Sequence, residues 1–196
     1  MLKLLKIAAI LTLSVACKSN SDTDSQLVQE EDPITWTDCS YELSDHPCNF
    51  ELSDQNGSTW NLYDHIGEVI VLDFSTGWCY YCHVAAAEIP VIEKEYEDKN
   101  LTYVTILIED NNGNKPTLEY ANLWADTYGI NNSPVLIGDR SLIDGTGENG
   151  WSIAGWPTFF FIDHEMVTRY SLQGYSSSIL ITTIDKLLIE SSSSEH

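Results

Sequence analysis

The run Val69-Ile70-Val71-Leu72-Asp73-Phe74 constrains this chain more than any other stretch. Side chains alternate between the two faces of a strand, so a strand whose neighbouring positions are nearly all apolar must be covered on both sides. Leu101 to Ile108 repeats the pattern. Between them, Cys82 to Lys99 reads as a long helix with Val84, Ala85, Ile89, Ile92 and Tyr96 on one side and an expected kink at Pro90. Two buried strands joined through a helix predict a layered α/β fold.

The flanking elements complete that reading. Phe50-Glu51-Leu52 and Thr59-Trp60-Asn61-Leu62 alternate around Asp54-Gln55-Asn56-Gly57-Ser58, which predicts a β-hairpin. Thr117 to Tyr128 predicts a second helix, with Leu118, Ala121, Leu123, Ala125 and Tyr128 apolar and Gly129 at its end. Pro134 to Ile137 is a short apolar run, and Asp139 to Ser152 a long Gly-rich loop. Thr158 to Ile162 and Met166 to Leu172 read as strands paired through the turn at Asp163-His164-Glu165. Ser176 to Ser178 cap a last helix, Ile179 to Glu190, whose apolar side is Leu180, Ile184, Leu187 and Leu188. The order predicts a mixed central sheet with helices on both faces and an N-terminal β-hairpin extension.

Residues 1–16 carry Lys3 and Lys6 followed by the apolar run Ile7 to Val15, the pattern of a targeting segment too short to span a bilayer comfortably. Leu13-Ser14-Val15-Ala16-Cys17 resembles a bacterial lipobox, with Ser14 where that motif prefers Leu. The resemblance implies a lipidated Cys17 and a lipid-anchored protein on the extracytoplasmic side of the bacterial cell envelope. Residues 17–33 are Ser-, Asp-, Glu- and Gln-rich and read as a flexible tether. The folded domain is expected over residues 34–190 and a frayed tail over 191–196. The chain has 30 acidic and 9 basic residues, a formal charge of −21. Such a surface excludes nucleic-acid binding through phosphate neutralisation.

Cys17 apart, the cysteines form two pairs, Cys39/Cys48 and Cys79/Cys82. In an exported protein disulfides persist, so Cys39 and Cys48 are expected to form a structural disulfide around Ser40 to Pro47. A second redox pair, or half of a metal site with His46, are the alternatives. No further ligand stands at a sensible spacing, so neither a metal nor a cofactor is expected.

Cys79-Tyr80-Tyr81-Cys82 stands between a buried strand and a helix. Together with Trp78, the hairpin at Phe50 to Gly67 and Gly155-Trp156-Pro157-Thr158 before a strand, it resembles the TlpA/ResA branch of thioredoxin-like proteins over residues 48–190. The resemblance implies a thioredoxin fold and a thiol–disulfide oxidoreductase that reduces exported protein thiols. Cys79, at the helix start, would attack, because unpaired N–H groups there favour a thiolate. Cys82, one turn later, would resolve the mixed disulfide. Asp73 would exchange a proton with Cys82. Pro157 would be cis and, with Thr158, present backbone to an extended substrate between Trp78 and Trp156. Tyr80 and Tyr81 would tune the redox potential, and His83, read as an exposed first-turn residue, would stabilise the Cys79 thiolate when protonated. The implied partners are exported thiol or disulfide proteins and a separate electron-exchange protein, with the chain acting as a monomer.

This sequence departs from the family pattern at three places. Tyr81 stands where relatives often carry Pro, Pro90 lies eleven residues after Cys79 rather than eight, and the Asp139–Ser152 loop is long. Tyr80-Tyr81 leaves an oxidase or isomerase role open. Cys79-Tyr80-Tyr81-Cys82-His83 also fits the C-x-x-C-H haem attachment motif. Thr76, three residues before Cys79, admits a peroxiredoxin reading, although Leu72 replaces the expected proline. A binding lipoprotein without catalysis is the remaining alternative.

Overall fold

The computed structural model describes residues 34–193; Cys17, the targeting segment and the tether lie outside the described residues. The first element is a separate hairpin of β1 (Glu51–Ser53) and β2 (Thr59–Asn61). Asp54 builds its turn by accepting the N–H groups of Asn56 and Ser58, each at 2.8 Å, and Gly57 takes a φ of 81° that a side chain would oppose.

Eight consecutive buried residues then form β3 (Val69–Thr76). β4 (Leu101–Glu109) lies parallel to it on one side, and β5 (Val135–Ile137) lies parallel to β4. On the other side β6 (Thr158–Ile162) and β7 (Thr168–Gln173) follow antiparallel. The sheet order β5-β4-β3-β6-β7 leaves β3 at the centre.

α1 (Tyr80–Glu95), α2 (Leu118–Tyr128) and α3 (Ser177–Ser193) connect or follow these strands. All three bury their apolar side chains in one cluster with Val69, Val71, Tyr103, Leu107, Phe159 and Phe161. Helices lie on both faces as expected: the three α-helices cover one, and the short 3-10 helices Leu62–His65 and Arg140–Leu142 pack their Leu62 and Leu142 toward the other, so the two faces are covered very unequally. The reason is topological: β3, β4 and β5 advance in one direction, and right-handed crossovers between them place α1 and α2 on the same side. The opposite face, with Ile70, Leu72, Phe74, Val104, Ile106 and Phe160, is covered by Trp60 and Leu52 of the hairpin, Leu62, Met166 and Trp151. Trp151 belongs to the Gly-rich loop between β5 and β6. It is fully buried, with its ring 5.5 Å from Phe74 and 4.6 Å from Phe160. That loop is therefore a structural strap as well as a connection.

Several boundaries differ from the sequence-based expectation for local reasons. α1 begins at Tyr80, since Cys79 caps it, and ends at Glu95, since Tyr96 leaves the helix with φ −113° ahead of the acidic pair Glu97-Asp98, which the negative helix end repels. In α2 the buried face is Ala121, Trp124 and Ala125, while Leu118 and Leu123 are exposed. β7 starts at Thr168 because Asp163 accepts the N–H groups of Glu165 and Val167 in a turn that holds Met166 at φ 58°. α3 continues through Ser191 to Ser193, where fraying was expected: the Ser191, Ser192 and Ser193 hydroxyls donate to the carbonyls of Leu188 and Ile189. Among the described residues no helix is long and apolar enough to cross a membrane.

Cys39 and Cys48 are joined by a disulfide. Their sulfurs are thus committed to each other, which removes the metal alternative with His46. The loop they close is tied to the edge of the sheet: Ser44 N–H donates to Thr168 and Thr168 N–H to Asp45, at 2.7 and 3.0 Å. His46 stacks on Trp36 at 3.9 Å. Opening the loop frees the unfolded chain more than the folded one. The double variant Cys39→Ser/Cys48→Ser is expected to lose about 2–3 kcal/mol in urea unfolding, with the Cys79/Cys82 couple keeping its potential; an unchanged midpoint would contradict the structural role.

Candidate active site

Among the described residues the two free cysteines sit at the C-terminal end of β3, where the chain turns into α1. Cys79 is the N-cap: its Sγ accepts the Cys82 N–H at 3.3 Å and its carbonyl accepts the His83 N–H at 3.3 Å. The thiol therefore occupies the position at which a helix presents unpaired donors and the positive end of its dipole. Cys79 is 8% exposed, and Cys82 is fully enclosed. Only Cys79 can meet an incoming disulfide, and only Cys82 is placed behind it.

The turn that carries Cys79 is fixed from two sides. Gly77 N–H donates to the Glu109 carbonyl at 2.8 Å, and a Cβ at Gly77 would run into the Tyr120 hydroxyl and the Asn111 backbone. The Trp78 indole N–H donates to Glu109 Oε2 at 2.8 Å, while Arg140 Nε donates to Oε1 at 2.5 Å. The hydrogen bond from Arg140, with that from Trp78 and the Arg140 charge, holds the Glu109 carboxyl below its usual range against its burial, so it stays an acceptor at neutral pH. Glu109 and Arg140, neither of which the sequence singles out, thereby link the Gly-rich strap to the residue preceding the nucleophile.

Asp73 is completely buried on the helix-bearing face. Ser75 Oγ donates to its Oδ1 at 2.7 Å and the Tyr103 hydroxyl to its Oδ2 at 3.0 Å. Burial outweighs both bonds and raises its carboxyl from the ordinary 3.8 to about 7. Burial also pushes the Cys82 thiol well above its ordinary value, with the Asp73 charge as the next cause. A buried acid that titrates near neutrality beside a buried thiol can take a proton from it and give the proton back.

The remaining predicted residues fall into two groups. Trp78 is 48% exposed, Tyr80 72% and Tyr81 58%, so they form an aromatic surface around Cys79. Trp156 packs edge-on to Trp78 with ring centres 6.3 Å apart. The Trp156–Pro157 peptide is cis, and the register that pairs Phe74 with Thr158 puts Pro157 at the same end of β3 as the cysteines. The Thr158 hydroxyl is buried and donates to the Gly155 carbonyl at 2.8 Å, so its side chain shapes the loop. His83 is half-buried, not exposed. Its Nε2 lies 2.7 Å from the Gly77 carbonyl, its Nδ1 bonds the Tyr128 hydroxyl, and its ring packs on Trp124. With both nitrogens engaged it braces the turn that carries Cys79. Thr76, on which the peroxiredoxin reading turns, is fully buried.

The Asp73 shift has a direct consequence for stability. Between about pH 4 and pH 7 the folded protein keeps a proton on Asp73 that the unfolded chain has released, so stability falls as pH rises through this window and levels off above it. Asp73→Asn removes that cost. Its thermal unfolding at pH 8 is expected to exceed wild type by on the order of 2–4 kcal/mol, with the two curves converging near pH 4. Equal stabilities at pH 8 would show that Asp73 ionises as an ordinary carboxylate.

The AhpC/TSA family model matches residues 44–171. The thiol-disulfide oxidoreductase ResA of Bacillus subtilis is 30% identical over 124 residues, a match that spans 63% of each chain. Among solved structures, the pneumococcal exposed lipoprotein thioredoxin Etrx1 of Streptococcus pneumoniae is 26% identical with a TM-score of 0.58, covering 71% of this chain and all of that one. A thioredoxin-family thiol:disulfide interchange protein of Chlorobium tepidum, 20% identical, covers 78% of this chain and 99% of its own with a TM-score of 0.60, and shares the fold. With the sheet order, the N-capping Cys79 and the enclosed Cys82 already in place, these likenesses agree: the chain belongs to the AhpC/TSA family of thioredoxin-like proteins.

Proposed function

We propose that this chain is a lipid-anchored, extracytoplasmic reductant of disulfides in exported proteins. The observation that carries the reading is the asymmetry of the dithiol: Cys79 caps α1 at the surface, and Cys82 lies enclosed beside Asp73. Cys79 thiolate attacks a substrate disulfide, forming a mixed disulfide and releasing one substrate thiolate, which takes up a proton. Cys82 passes its proton to Asp73 and attacks Cys79 Sγ. The second substrate thiolate leaves and is protonated from solvent, and Asp73 later returns its proton to solvent. Two electrons move from the protein dithiol to the substrate.

Direction follows from what the reduced pair must bear. Strongly oxidising dithiols hold their electrons because a thiolate is stabilised in the reduced state. Here the charge acting on Cys82 is that of an acid, and burial disfavours the Cys82 thiolate further. No stabilised thiolate at Cys82 holds electrons in the reduced pair, which supports electron donation. The aromatic surface of Trp78, Tyr80 and Tyr81 offers an apolar landing place. The Trp156 N–H and C=O, without partners among the described residues, offer an extended segment a place to pair. The lipobox at Cys17, and the likeness to a protein named as an exposed lipoprotein thioredoxin, support the location. The electrons reach this chain from another protein, since the proposed anchor is a lipid.

Insulin reduction driven by dithiothreitol tests the chemistry. Wild type is expected to accelerate it, Cys79→Ser to lose at least 100-fold, and Cys82→Ser to accumulate a stable mixed disulfide with substrate. Full activity in Cys79→Ser would overturn the reading. Membrane fractionation tests the anchor. Cys17→Ser should move the protein from the membrane fraction to the soluble one, and an unchanged membrane fraction would contradict lipidation at Cys17.

A further inference from the structure

Asp73 has two donors and no cation. Its carboxyl is favoured in the ionised form only by the hydroxyls of Ser75 and Tyr103. Ser75 lies two residues along the same strand, hence on the same face. Tyr103 comes from β4, where it pairs with Val71 while Thr105 pairs with Asp73. From that diagonal position its phenol reaches Oδ2 at 3.0 Å, and Ser75 reaches Oδ1 at 2.7 Å. Each carboxylate oxygen thus receives one proton donor. A protonated Asp73 would need one of those hydroxyls to turn and accept, so the arrangement fits the ionised form better.

The other surroundings supply no competing charge of the right sign. From α1 the site is faced by Cys82. From the turn before α3 it is faced by Tyr175, with Glu88 of α1 behind it. β6 presents Phe159 opposite Asp73, and the Thr105 hydroxyl on β4 is buried without a partner. Among the described residues, nothing else near Asp73 opposes the cost of burying its charge.

We infer that Tyr103, together with Ser75, is a positioning residue that favours the ionised form of Asp73 against burial and aims it to accept the Cys82 proton during resolution of the mixed disulfide. The inference rests on the reaction proposed above and adds what sets its pH dependence. In that step the Cys82 S–H bond breaks and the proton passes to Asp73. The Cys82–Cys79 disulfide forms as the Cys79–substrate bond breaks, and the electron pair leaves on the substrate thiolate. Losing one hydroxyl leaves the carboxylate a poorer acceptor below neutrality, and the step should then require a higher pH.

The test is a single-turnover reaction of the reduced protein with oxidised glutathione from pH 5 to 9, quenched by alkylation to separate the Cys79–glutathione species from the Cys79–Cys82 disulfide. In wild type the rate of resolution should rise with a midpoint set by Asp73. Tyr103→Phe, which keeps the ring, should move that midpoint up by about one pH unit, and Ser75→Ala should move it the same way. Asp73→Asn should slow resolution and lose the midpoint. If one hydroxyl variant fails to fold by circular dichroism, the other carries the test. Wild-type midpoints in the hydroxyl variants, with the midpoint lost in Asp73→Asn, would overturn the inference and leave the proposed function standing. A wild-type midpoint in Asp73→Asn would remove Asp73 from the reaction and the inference with it. Activity surviving in Cys79→Ser marks failure of the thiol-exchange reading itself.

Discussion

Burying a carboxylate in the middle of a sheet is the constraint on which the rest of this molecule depends. β3 must be covered on both faces, so its odd-numbered positions lie under three helices and its even-numbered ones under the hairpin and the Trp151 strap. Asp73 falls on the helix side, where water does not reach it. The same strand delivers Cys79 and Cys82 at its end. One geometric decision, the path of β3 through the core, therefore sets both the dithiol and the acid beside it.

The electrostatics follow from that placement. A dielectric boundary this close makes each added negative charge expensive, and the site avoids holding two at once. Asp73 and Cys82 each raise the cost of ionising the other, so a proton shared between them is the natural currency of the reaction. The turn around Cys79 is kept rigid by hydrogen bonds on both sides: His83 to Gly77 and Tyr128, and Glu109 to Trp78 and Arg140.

Much of this was legible in the sequence. The apolar run of β3, the alternating hairpin around Asn56-Gly57 and the strand-CxxC-helix order are local patterns, and local patterns survive folding. Asp73 stood out because an acid inside an apolar strand needs a reason. Tertiary placement was harder. That α1 and α2 share one face depends on the direction of successive crossovers, and the edge position of β5 decides it. Tyr103 meets Asp73 only through the β3–β4 register, which no single strand reveals. His83 looks exposed as a first-turn residue until Tyr128 and Trp124 of α2 arrive over it. Ser75 was the one missed partner with a signal, since two residues along a strand always share a face.

Electron flow out of the dithiol is the central claim, and equilibrium titration of the Cys79/Cys82 couple against glutathione and thioredoxin measures it most directly. A potential near that of thioredoxin, about −270 mV, is expected for a pair whose buried thiol resists ionisation beside Asp73. A potential in the range of strongly oxidising dithiols, about −120 mV, would contradict it.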